Sequence, residues 1–121
     1  MHKSLLLIPM LSALLAPGCY YDNEEELYPN SFCDTVNVDY TAGIKPIIDA
    51  SCAIPGCHVA GGTGTGDFTD FNQLIGQVQN GRLLPSIRRD ASAIPMPPSG
   101  AMRDCDLRRI ELWVAAGAQN N

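Results

Sequence analysis

The seven residues Cys52-Ala53-Ile54-Pro55-Gly56-Cys57-His58 confine this chain to few folds, because they gather two thiols and an imidazole into one short loop. Groups so arranged are usually consumed by a covalent or metal bond, and that bond then dictates where the neighbouring segments lie. Pro55-Gly56 between the thiols is turn chemistry, since proline presets φ and glycine tolerates positive φ. Ahead of the loop, Thr41 to Ser51 carries Ile44, Ile47 and Ile48 at the i, i+3, i+4 spacing of one buried helical face. Thr41 is placed to cap this helix, and Pro46 lies deeper than a first-turn proline, so the helix either starts late or bends there. It delivers Cys52 from its C-terminal end, and the chain must turn back to present Cys57 and His58.

Three chemistries fit these residues. Two thiols followed at once by a histidine are the elements of a covalent haem site, in which thioethers hold the porphyrin and the imidazole binds iron. The usual spacing is C-x-x-C-H, and this loop has two residues more, which a bulge between the thiols accommodates while leaving Cys57 and His58 adjacent. A Cys52–Cys57 disulfide is the second use. A zinc site is the third, and it needs a further ligand from Cys33, Cys105 or a carboxylate. At 121 residues the chain allows one small domain, whose core needs a staple of some kind. Its five cysteines point to an oxidising compartment, and a net charge of -5 argues against nucleic acid as a partner.

The start of the chain explains the compartment. Lys3 and the apolar run Leu5 to Leu15, too short to cross a membrane stably, make residues 1–18 an export signal. Its end, Leu15-Ala16-Pro17-Gly18-Cys19, resembles the bacterial lipoprotein lipobox, which implies a lipid on Cys19 and anchoring without a protein span. An ordinary cleaved signal that leaves Cys19 free is the alternative. Residues 19–32 carry four acidic side chains and no hydrophobic periodicity, and read as a flexible tether. Tyr20 replaces the aspartate that retains many such lipoproteins at the inner membrane, which favours the outer membrane. The folded domain is expected over 33–121.

Beyond the cysteine loop, Gly61-Gly62-Thr63-Gly64-Thr65-Gly66 lacks the lysine of a phosphate loop and reads as a flexible connection whose small residues let backbone approach a planar cofactor. Asp70 to Val78 is a predicted helix with Phe71, Leu74, Ile75 and Val78 on one stripe, stopped by Asn80-Gly81. Arg82 to Asp90 follows, and its Arg88-Arg89 pair suits either a haem propionate or solvent. In Ile94-Pro95-Met96-Pro97-Pro98 a methionine is fixed between prolines. A thioether held in a rigid loop suits soft-metal ligation better than gap filling, so Met96 is the candidate distal ligand ahead of Met102. The last helix runs from Asp104, a candidate cap, to Gly117, burying Leu107, Ile110, Trp113 and Val114. Trp113 is expected to pack it on the first helix and to donate a hydrogen bond from its indole.

A thiol pair plus histidine after a helix, a proline-flanked methionine, and a closing helix with Ile110-x-x-Trp113-Val114-x-Ala116-Gly117-Ala118 together resemble the small class I cytochrome c domain, in the single-haem lipoprotein form of bacteria. The resemblance covers residues 38–118. It implies an all-α fold with the first and last helices packed around one covalently bound haem c. It further implies thioethers at Cys52 and Cys57, His58 as the proximal iron ligand and Met96 as the distal one. With those roles assigned as the resemblance implies, a bridge between Cys33 and Cys105 is expected. The implied function is one-electron transfer at the cell envelope, a carrier and not an enzyme, between redox protein partners and held to a membrane through its lipid. Two other functions are open to the sequence: a peroxidase-like haem enzyme from which Met96 dissociates, and a haem-free, disulfide-stabilised binding or structural domain.

Overall fold

Asp39 opens the first helical segment by accepting a hydrogen bond from the Ala42 amide at 2.7 Å. The computed structural model describes residues 32–36 and 38–121; the export signal, Cys19 and the acidic tether as far as residue 31 lie outside the described residues. The opening segment is a π-helical turn, Tyr40–Ile44, which runs directly into α1, Lys45–Ser51. Proline explains the join: Pro46 has no amide to continue the helical ladder, and it sits in the first turn of α1, so the regular helix starts late. Thr41 does not cap. It lies inside the turn, and both its amide and its hydroxyl donate to the Asn121 carbonyl, at 2.9 and 2.7 Å.

The next helix, α2 (Phe71–Gln79), is capped by Asp70, which accepts from the Asn72 amide at 2.9 Å. Asn80 and Gly81 end it as expected, with Gly81 at φ 72°. A short helix, α3 (Leu83–Arg88), stops at Arg89 in the left-handed region. The last helix, α4 (Asp104–Ala115), takes in Asp104 as its first residue and not as its cap. The capping position belongs to Arg103, whose guanidinium pairs with Asp106 at 2.8 and 3.1 Å. Asp104 and Asp106 still complement the positive end of the helix dipole from within the first turn. The described residues contain no strand, and the domain is all-α.

Within the unit Cys33–Asn121, Ile44, Ile48, Leu74, Ile110 and Trp113 are fully buried and form the centre of the core. Tyr40 stacks on Trp113 with ring centroids 5.6 Å apart and meets Phe71 edge-on at 4.8 Å. The first helical segment therefore meets α4 mainly through its π-turn, while α3 packs on both α2 and α4. The Trp113 indole donates to the Gln119 carbonyl at 2.9 Å, so the ring is buried without leaving its donor unpaired. Cys33 and Cys105 form the expected disulfide, closing a separation of 72 residues. On the loop-entropy account such a closure contributes about 4 kcal/mol. Replacing both cysteines by alanine should lower stability by about that amount in denaturant titrations, and an unchanged midpoint would remove the bridge from the list of major stabilisers.

Candidate cofactor site

Cys52 follows α1 directly and remains tied to it, its amide donating to the Ile48 carbonyl at 2.8 Å. The chain then closes a small ring: the Cys57 amide donates to Ile54 at 3.0 Å and the His58 amide to Cys52 at 3.1 Å, with Gly56 at φ 83°. The two residues by which this loop exceeds the usual spacing are absorbed in that ring, as the Pro55-Gly56 pair predicts.

The glycine-rich segment is not a loose connection. It folds back over the cysteine loop, the Thr63 amide and hydroxyl donating to Gly56 at 3.1 and 3.0 Å and the Gly64 amide to Cys57 at 3.2 Å. A Cβ at Gly62 would lie 1.9 Å from the Cys57 carbonyl oxygen, and one at Gly64 would lie 2.6 Å from His58 Nδ1. Glycine is required at both places because the Cys57 carbonyl in one case and the His58 ring in the other occupy the space a side chain would take. The planar group that this backbone approaches is the His58 imidazole.

His58 is held on two sides. Its Nδ1 lies 3.2 Å from the Thr65 carbonyl oxygen, and its ring stacks on Phe68 at 4.1 Å with only 4° between the planes. A carbonyl oxygen only accepts, so Nδ1 carries a proton, and in the neutral imidazole the lone pair is then on Nε2, the form in which an imidazole binds a metal.

Met96 is fixed from α3. Its amide donates to the Ser86 carbonyl at 3.0 Å, and Arg89 Nη1 donates to the Pro97 carbonyl at 2.9 Å. The Met96–Pro97 peptide is cis. Met102 packs instead against the hydrophobic core. Arg88 is committed to Glu111 at 2.6 Å, which also has Arg108 at 3.7 Å. Neither arginine of the Arg88-Arg89 pair lines the cavity described next.

That cavity, about 420 Å³, has Cys52, Cys57, His58 and Met96 in its wall, so the fold brings all four sequence-selected side chains to one space. Phe68, Leu83 and Ile87 supply apolar surface. Among the described residues, Arg82, which sequence reasoning passed over, is its one lining side chain with a fixed charge, and no carboxylate lines it. The donor set suits haem iron: an imidazole with a free Nε2, a soft thioether, two thiols for thioether bonds and an apolar enclosure. Zinc fits less well. Cys33 and Cys105 are used in the bridge, and among the described residues no group of three or more His, Cys, Asp or Glu side chains is arranged to hold a metal ion.

Cys52 and Cys57 are both free thiols, so they form no disulfide with each other. Burial, and then the nearby Cys57, push the Cys52 thiol up to about 11. Cys52 also sits at the negative end of α1, where a thiolate is disfavoured. This is the reverse of the setting that makes a cysteine reactive in thiol–disulfide exchange.

No family model, no curated protein and no solved structure matches the chain. The site therefore stands on its own residues. Beyond the sequence-selected ligands, one feature had a signal in the sequence: the glycines that begin three residues after His58. Crowding at Gly64 predicts that Gly64→Ala destabilises the domain by about 1–3 kcal/mol. Gly76, inside α2 with nothing within 4 Å of its Cβ direction, predicts the opposite sign for Gly76→Ala, a gain of about 0.5–1 kcal/mol. Chemical denaturation of the two variants measures both, and equal effects would refute the packing account.

Proposed function

We propose that the protein is an envelope-anchored c-type cytochrome with a class I cytochrome c fold, carrying single electrons between redox protein partners. The observation that carries this reading is that Cys52, Cys57, His58 and Met96 line one cavity although Met96 is far from the others in sequence. Haem, when bound there, supplies reversible uptake and release of one electron at iron.

The chain's own residues have distinct tasks in that scheme. Cys52 and Cys57 would hold the porphyrin through thioethers, which would keep the cofactor from being lost to the medium. His58 offers Nε2 to iron, with its proton kept on Nδ1 by the Thr65 carbonyl and its ring plane kept by Phe68. Met96 offers its sulfur, and the bonds from Ser86 and Arg89 keep its loop in place. Were iron held by both His58 and Met96, no coordination position would be left for a substrate, which favours a carrier over a peroxidase-like enzyme. The cavity wall supports that preference. Among the described residues, the two thiols and His58 apart, its lining has no carboxylate, amine or phenol to serve as a general acid or base. A lipid on Cys19 would hold the domain at a membrane, and among the described residues no helix is long and apolar enough to cross one.

The test is optical. Protein purified from cells able to attach haem should show a Soret band that stays with the polypeptide after denaturation, and Cys52→Ala with Cys57→Ala should abolish it. Absence of that band from the wild-type protein overturns the proposal. Met96→Ala should keep the band, and its reduced form should bind carbon monoxide where the wild type does not. Cys19→Ser should move the full chain from the membrane fraction to the soluble one.

A further inference from the structure

Arg82 stands apart from the other arginines of α3 and its approach. Arg88 is paired with Glu111, and Arg89 is bonded to the Pro97 carbonyl. Arg82 lines the cavity and, among the described residues, makes no ion pair. Its backbone is fixed, the amide donating to the Gln77 carbonyl at 3.0 Å and to Asn80 Oδ1 at 3.1 Å. The guanidinium is therefore carried on an anchored stem at an exposed part of the wall, beside Gln77, which also lines the space. A cavity otherwise apolar or uncharged, with one unpaired cation at its exposed edge, suits a ligand with a large apolar body and a carboxylate at one end.

We infer that Arg82 is the residue that receives a carboxylate of the bound cofactor, a haem propionate, and so sets which edge of the ring faces solvent. This rests on the haem reading above and adds to it a residue that none of the cysteine, histidine or methionine motifs contains. Arg82 touches the ligand at its periphery. Its effect on the iron is electrostatic, because a positive charge near the propionate offsets the carboxylate's preference for the oxidised, more positive metal.

The experiment is a redox titration of the purified holoprotein, comparing wild type with Arg82→Ala, Arg82→Gln, Arg82→Lys and Arg88→Ala. Removal of the charge in Arg82→Ala and Arg82→Gln should shift the midpoint to lower potential. Arg82→Lys, which keeps the charge, should return most of that shift, and Arg88→Ala should titrate as wild type. Should Arg82→Ala fail to accumulate, Arg82→Gln carries the comparison with a side chain of similar reach. Wild-type midpoints in the two neutral variants would overturn the assignment while leaving the haem reading intact. A shift that lysine does not restore, or one that Arg88→Ala reproduces, would overturn it as well, by showing that charge at position 82 is not the cause. A wild-type protein without a Soret band would remove the haem reading itself, and this assignment with it.

Discussion

The closure of backbone onto His58 is the constraint on which the rest of the site depends. The imidazole is pinned because the glycine-rich segment returns close enough for a main-chain oxygen to meet Nδ1, and it can return only where Cβ atoms are missing. The same return bonds the loop to the Gly56 and Cys57 carbonyls, so two segments of irregular structure hold each other without a helix or strand between them. Phe68 then ends the segment by stacking on the ring, which joins the loop to the hydrophobic core. Positioning of the histidine, closure of the thiol loop and burial of an aromatic anchor are thus one packing event.

A second chain of contacts organises the opposite part of the cavity. α3 is short, yet its Leu83 and Ile87 face the cavity, its Ser86 carbonyl holds Met96, its Arg88 reaches Glu111 on α4, and Arg89 at its C-terminus holds Pro97. The ion pair is partly exposed and contributes little by itself, on the order of 1 kcal/mol or less. It joins the outer side of α3 to α4, a helix fixed independently by Trp113 and by the disulfide, and lies outside the cavity wall.

How much of this was legible in the sequence follows from how local each determinant is. The helical stripes and the Asn80-Gly81 stop depend on neighbours within a turn or two, and they were read at nearly the observed positions; Asp70, read as the first residue of its helix, caps it instead. The late start of α1 followed from Pro46 for the same reason. The caps assigned to Thr41 and Asp104 failed for different reasons: Thr41 bonds to Asn121, a partner set by the fold, whereas the helix begins one residue early, with Arg103 in the capping position and paired locally with Asp106. In the candidate site, the thiols, the histidine and Met96 were identifiable from residue type and spacing. Arg82 was not, because only the packing of α2 and α3 determines which arginine borders the cavity. The role of the glycines was half legible: a close approach to a planar group was foreseen, but identifying that group as His58 required the tertiary return of the loop.

The disulfide has a topological meaning beyond stability. Every described residue that lines the cavity, from Ser51 to Ser99, lies between Cys33 and Cys105, inside the covalent ring that the bridge closes. Tension on the chain ahead of Cys33 is divided at the bridge, and part of it passes straight to the first turn of α4. The lining segments are shielded to that extent from a pull that would otherwise have to run through them in series. In the proposed tethered form, the bridge would act as a strain relief, separating the mechanics of attachment from the geometry of the site.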